Sequence, residues 1–261
     1  MTSGLIDAVR RHTAATPART ALTDGTTDVS YALLGFRIEE TAAALRDTGV
    51  RRLGLATDNG IAWVIADLAS MRAGVTVVPL PSFFSQAQRE HAICDAGVDH
   101  VLLGARATGA TSFDVGGAEC WLAKVGDPAA VQQLPDGTAK ITYTSGTTGA
   151  PKGVCLSLAH QETVAASLAR AVRFSPEDLH LCVLPLATLL ENVAGLYAPL
   201  LAGARCAVPP LVTLGVNGSS ALDVAAFVGG IARWRPSTVI LIPQMLQALV
   251  AAAGLGAPIP D

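Results

Sequence analysis

Strand-like and helix-like runs alternate along nearly all of this 261-residue chain, and no other feature limits its fold as tightly. Apolar residues recur at helical spacing over Leu5–Ala15, Tyr31–Thr48 and Ile61–Arg72. Arg52–Ala56, Val75–Pro79 and His100–Leu103 are apolar runs of strand length. Asp24-Gly25 is a hairpin signal between strands at Ala21–Thr23 and Val29–Tyr31, and Ser85-Gln86-Ala87-Gln88 carries the capping-box pattern that opens a helix through Ala96. Strands that alternate with helices form parallel sheets covered by helices on both faces. The expected fold class is α/β, with mostly parallel sheets flanked by helices.

The pattern weakens over 104–136, a glycine-containing stretch in which only Glu119–Leu122 reads as a strand. It resumes with a strand at Ala139–Thr144. Gly153–Ser157 continues as a strand, followed by a helix from His160 to Val172 and a strand at Leu179–Val183. Further on come a helix at Thr188–Ala202, a strand at Arg205–Val208, a helix at Ala221–Trp234 and a strand at Thr238–Leu241. A last helix runs from Pro243 to Ala253, with proline well placed at the first helical position. A soft boundary in the irregular stretch divides the chain into a first α/β segment, 1–136, and a second, 137–261.

Composition excludes several classes. Net charge is −3 with both signs interspersed, so no basic stripe argues for nucleic acid. Charged residues make up 15%, against roughly a quarter in an average domain, which leaves a charge-poor surface compatible with self-association. The five cysteines are widely spread and form no C-x-x-C pair, so they read as buried thiols of a reducing compartment, with no metal site. The N-terminus has no secretory pattern. The longest apolar stretch, Leu184–Ala204, is interrupted by Glu191 and Asn192 and carries Pro185 and Pro199, so it reads as a buried helix and not a membrane span. The expected location is cytoplasmic.

The chemistry is concentrated in Thr144-Ser145-Gly146-Thr147-Thr148-Gly149-Ala150-Pro151-Lys152-Gly153. Four hydroxyls, three glycines and one lysine follow an apolar strand. Glycines let the backbone approach a phosphate, N–H and hydroxyl groups donate to its oxygens, and the lysine supplies a point charge. The spacing is not G-x-x-x-x-G-K-[ST], because Lys152 follows a proline and precedes Gly153, nor is it G-x-G-x-x-G.

The ten residues match without departure the pattern [ST]-[SG]-G-[ST]-[ST]-G-x-P-K-G of the AMP-forming adenylating enzymes, the superfamily of acyl-CoA synthetases, non-ribosomal peptide synthetase adenylation domains and luciferases. Other elements resemble the same family in order. They are Ser30-Tyr31-Ala32-Leu33-Leu34, where Leu33 replaces the usual acid, Met71 to Leu80, Leu184 to Glu191, and Pro236 to Leu246. Phe83-Phe84-Ser85-Gln86 leans toward the acyl-CoA synthetase branch.

The resemblance implies an ATP-dependent ligase that joins a small-molecule carboxylic acid to AMP and passes the acyl group to a thiol, of coenzyme A or an acyl carrier protein. It implies that Thr144, Ser145, Gly146, Thr147, Thr148, Gly149 and Lys152 bind the ATP phosphates and that Lys152 is catalytic. It also places Thr188, Glu191 and Asn192 near an acyl or carboxylate pocket. Thr188 stands where many acyl-CoA synthetases have histidine or an aromatic residue; it also reads as a helix N-cap. Glu191 and Asn192 read first as one polar face of an amphipathic helix, ahead of a substrate-site role. The family's Mg2+-binding glutamate, ribose-binding aspartate and C-terminal lysine belong to later motifs that do not occur before Asp261. The expectation is an N-terminal fragment, part of a large domain, that does not complete adenylation alone. The alternatives are a non-catalytic nucleotide- or acyl-binding module and half of a split enzyme.

Overall fold

The computed structural model describes residues 4–126, 133–144, 151–218 and 221–256. Helix α1 (Gly4–Ala15) precedes a hairpin of β1 (Thr20–Thr23) and β2 (Asp28–Ser30). In its turn, Asp24 Oδ1 accepts from the N–H groups of Thr26 and Thr27. Helix α2 (Tyr31–Thr48) starts where Ser30 accepts from Leu33 N and stops at Gly49, which adopts a left-handed φ of 72°. Strand β3 (Arg52–Ala56), helix α3 (Ile61–Ala73), strand β4 (Thr76–Pro79), helix α4 (Gln86–Ala96) and strand β5 (His100–Leu103) follow as the alternation requires. The capping box at α4 is complete: Ser85 accepts from Gln88 N, and the Gln88 side chain accepts from Ser85 N.

The stretch read as irregular contains a full hairpin, β6 (Thr111–Val115) and β7 (Ala118–Lys124), turning at Gly116-Gly117 with φ of 60° and 87°. Its signals were that glycine pair and the period-two burial of Phe113 and Val115. Next come β8 (Thr138–Thr144), β9 (Lys152–Ser157), α5 (Leu158–Val172) and β10 (Leu179–Leu181). The helix expected over Thr188–Ala202 is divided into a π-helical segment, Glu191–Tyr197, and a short α6 (Ala198–Ala202). Pro199 explains the break, since it has no N–H to give the Gly195 carbonyl. The thiols of Cys182 and Cys206 approach that carbonyl at 3.7 and 3.8 Å. Strand β11 (Arg205–Ala207) and the small pair β12 (Val216–Asn217) and β13 (Ala221–Leu222) lead to α7 (Val224–Trp234), β14 (Thr238–Val239) and α8 (Pro243–Gly254). Helix α7 starts later than the sequence pattern implies because Asp223 caps it, accepting from Ala226 N.

The strands form two larger sheets. One is ordered β6-β7-β5-β3-β4-β8-β9, with β5, β3, β4 and β8 parallel and antiparallel strands at both edges. The other is ordered β14-β10-β11-β1-β2, parallel except for β2. The α/β class with mostly parallel sheets therefore holds. The division at residue 136 does not follow the sheets: β1 and β2 join strands from beyond residue 178, and β8 and β9 join β3–β5. The largest apolar cluster runs through both sheets, from Leu22 and Cys206 through α2 and α3 to Leu53 and Leu55, and so joins the two segments, while a second cluster from Leu179 to Leu249 lies wholly within residues 137–261. Among the described residues, no helix is long and apolar enough to cross a membrane.

Candidate functional site

The phosphate-loop motif joins the paired strands β8 and β9. Thr144 pairs with Lys152, Tyr143 with Gly153 and Thr142 with Val154. Cross-strand partners lie about 5 Å apart, so Thr144 and Lys152 frame the loop from its two sides. Both are exposed. Ser145, Gly146, Thr147, Thr148 and Gly149 lie outside the described residues. Because β8 runs parallel to β4, the motif leaves the carboxyl edge of the parallel strands, the edge at which open α/β sheets bind ligands.

Helix α4 holds the base of this hairpin. His91 Nε2 lies 2.9 Å from the Pro151 carbonyl, and the Tyr143 hydroxyl donates to Asp95 Oδ2 at 2.7 Å. Burial, reinforced by the Asp95 carboxylate, pushes the Tyr143 hydroxyl above its ordinary range, so it stays protonated and donating. The final glycine of the motif has a packing reason as well: a Cβ on Gly153 would stand 3.0 Å from the Tyr143 ring. Lys152 at the mouth fits a triphosphate electrostatically. Asp95, the carboxylate beside the hairpin, is taken by Tyr143, and no residue is assigned to Mg2+.

On the other side of β9, an apolar groove of about 350 Å³ runs between α5 and the start of the π-helical segment. Leu156, Val164, Leu168, Leu190, Val193 and Ala194 supply most of its wall, with His160 and Gln161 as its polar groups. Among the described residues, no carboxylate lines it.

Thr188 precedes this wall and is half-buried. Its hydroxyl donates to the Pro185 carbonyl at 2.7 Å, while its backbone carbonyl accepts from Asn192 N. It therefore starts the helix through its backbone and not as a side-chain cap. Glu191 and Asn192 form neither a solvated helix face nor part of the groove lining; both are buried. Glu191 Oε1 lies 3.0 Å from His180 Nε2, and Oε2 accepts from Leu184 N. His180 Nδ1 is 2.9 Å from Thr238 Oγ1. Cys182 completes a trio of ligand-type atoms within 4.8 Å, but the direct His180–Glu191 contact already satisfies two of its members. Burial and the Glu191 charge hold the Cys182 thiol well above its usual range, so it is protonated and not nucleophilic.

Asn192 belongs to a second network that the sequence reading missed. Lys140 on β8 and Asp67 on α3, 2% and 0% exposed at the side chain, face each other at 2.8 Å. Lys140 Nζ also donates to Asn192 Oδ1 and, at 2.7 Å, to the Tyr197 hydroxyl. Asp67 Oδ2 accepts from Asn192 Nδ2 at 3.0 Å and from the Tyr197 hydroxyl at 2.5 Å. The ammonium lies over the Trp63 and Tyr197 rings as well. Burial lowers the Lys140 pKa, and the Asp67 charge opposes that shift. Two ammonium protons have hydrogen-bond acceptors, Asn192 Oδ1 and the Tyr197 hydroxyl, while the contact to Asp67 Oδ1 is an ion pair without hydrogen-bond geometry. The available signal was Lys140 as the one charged residue of β8, and Asp67 inside the apolar first two turns of α3.

A mostly parallel α/β domain with a hydroxyl- and glycine-rich motif at the carboxyl edge of its strands has the layout of a nucleotide-binding fold. The chain belongs to the AMP-binding enzyme family, whose profile matches residues 9–258. It is 33% identical over 172 residues to syringomycin synthase SyrB1 of Pseudomonas syringae pv. syringae, covering 62% of this chain and 28% of that one. It is 32% identical over 178 residues to the human mitochondrial malonate–CoA ligase ACSF3, covering 63% and 31%. The N-terminal subdomain of Klebsiella oxytoca NpsA, solved with 3-hydroxyanthranilyl-AMSN, superposes with a TM-score of 0.74 at 20% identity, covering all of this chain and 65% of that one. That likeness establishes the fold. The chain thus spans less than a third of these curated relatives, which divide between CoA ligases and peptide-synthetase adenylation domains.

Proposed function

We propose that this chain supplies the triphosphate-binding hairpin and the acyl wall of an ATP-dependent, AMP-forming acyl-CoA ligase acting on fatty or other apolar carboxylic acids in the cytoplasm. The observation that carries this reading is the groove lined by Leu156, Val164, Leu168, Leu190 and Val193, with no acidic side chain among the described residues that line it. An amino acid would bring an ammonium group that needs a counter-charge when desolvated, whereas an apolar acyl chain needs only such a wall. In this reading a carboxylate oxygen of the acid attacks the α-phosphorus of ATP. The α–β anhydride bond breaks, pyrophosphate leaves, and an acyl-adenylate remains. A thiolate, of coenzyme A or a carrier protein, then attacks the acyl carbon and AMP leaves.

Lys152, with the loop hydroxyls of Thr144, Ser145, Thr147 and Thr148, offsets the charge that gathers on the departing phosphates. Mg2+ would supply further charge compensation when bound. Exposed Leu246 and Val250 on α8 fit a covered face, and so support self-association or contact with further polypeptide. The test is carboxylate-dependent exchange of labelled pyrophosphate into ATP by the whole protein. Medium- and long-chain fatty acids are expected to support exchange where amino acids do not; the opposite preference would contradict the reading.

A further inference from the structure

The Asp67–Lys140 pair takes no part in phosphate chemistry, yet its partners converge on the segment that forms one side of the groove. Buried ion pairs seldom add net stability over well-packed apolar residues, so a complete one invites a different explanation. Asn192 is held at both ends of its amide: Oδ1 accepts from Lys140 and Nδ2 donates to Asp67. Its neighbour Glu191 is held by His180 and by Leu184 N. Two consecutive residues are thus pulled inward, and those on either side of them, Leu189 and Leu190 before and Val193 and Ala194 after, line the groove.

The segment is π-helical, with Ala198 N bonded to Val193 O. A π turn carries one residue more than an α turn. Relaxing it to α geometry would shift the register by one residue and rotate the side chains at its start, Val193 and Ala194 among them, by about 100° relative to those beyond Tyr197.

We propose that Lys140 and Asp67 are positioning residues for acyl recognition: by clamping the Asn192 amide they hold the π-helical turn in the register that directs Val193 and Ala194 at the groove. This rests on the acyl-groove reading above. Lys140 also lies on β8, four residues ahead of Thr144, so one strand sets both the triphosphate hairpin and the acyl wall.

The experiment is a titration with the fluorescent fatty acid dansyl-undecanoate, alongside a titration with ATP. The proteins are the wild-type chain, the paired variant Asp67→Leu/Lys140→Met and the single variant Asn192→Leu. The paired variant replaces both charges with apolar groups and so leaves no buried ion unpaired. Asn192→Leu carries the test if the paired variant does not fold. Either folded variant is expected to lose about tenfold or more in probe affinity, with ATP affinity within about twofold of wild type. Wild-type probe affinity in a cooperatively folded variant would overturn the positioning role. A parallel loss of ATP binding would also overturn it, by showing general support of the fold. If the wild-type chain binds no probe while binding ATP, the groove reading itself fails and takes this inference with it.

Discussion

The β8–β9 hairpin and the π-helical segment Glu191–Tyr197 meet at Lys140, and they are held in place by different means. The hairpin is held by its own ladder, by the packing of Tyr143 on Gly153 and by two contacts from α4. Its chemical side chains, Thr144 and Lys152, face solvent and bear little of the fold. The π-helical segment is the reverse. Its polar side chains are buried in networks with Asp67, Lys140 and His180, residues distant in sequence, and its groove-facing residues are apolar. In the proposed function, phosphate chemistry is local and separable from stability, whereas acyl recognition is distributed and tied to it.

That contrast is open to direct attack. Lys140→Met alone leaves the Asp67 carboxylate buried and unpaired, and should cost about 3–5 kcal/mol in urea unfolding. An equal loss from Lys152→Ala would erase the distinction between the two regions. Gly195→Ala puts a Cβ 2.1 Å from Glu191 Oε1 and 2.6 Å from His180 Nε2. Forcing those groups apart should cost about 1–3 kcal/mol by thermal or urea unfolding, and a neutral result would mean that the His180–Glu191 network is loose. Lys152→Ala should weaken ATP binding by about tenfold, the worth of one charge-assisted contact, with unfolding unchanged. Unchanged ATP affinity in calorimetry would remove Lys152 from the phosphate site.

Two smaller effects sharpen the picture. Tyr143→Phe removes the hydrogen bond to Asp95 and should cost about 1 kcal/mol, tilting the hairpin base without touching the groove. The surface cluster of Glu39 with Arg72 and Arg10 gives a control outside both regions. Partial burial raises the Glu39 pKa, but hydrogen bonds and charge from the two arginines outweigh it and bring the value below the ordinary 4.5. A lowered folded value means that this stabilisation is fully present above the unfolded pKa and is lost as pH falls through the folded one. Glu39→Gln should therefore reduce stability at pH 7 by less than about 1 kcal/mol, and the difference from wild type should vanish in strong acid.

The same contrast decides what could be read from the chain. The alternation of strands and helices, the capping box at Ser85 and the loop motif are written over a few neighbouring residues, so local rules find them. Of the β6–β7 hairpin only Glu119–Leu122 was legible, because both strands are half-polar and only Gly116-Gly117 marks the turn. The sheet membership of β1 and β2 depends on pairing with β11, which no local pattern encodes. Glu191 and Asn192 stood out as polar residues in an apolar run, but their meaning needed Asp67, Lys140 and His180 brought beside them. Pro199 was visible, yet the widened turn before it, with two thiols close to the Gly195 carbonyl, required the third dimension.

The central claim is that an apolar acyl groove stands beside the triphosphate hairpin. Calorimetric titration of the chain with dodecanoate and with phenylalanine, repeated on Leu190→Arg, tests it most directly. Dodecanoate should bind, phenylalanine should bind far more weakly, and a charged side chain in the wall should abolish dodecanoate binding while leaving ATP binding intact. Stronger binding of phenylalanine, or dodecanoate binding unaffected by Leu190→Arg, would contradict the account.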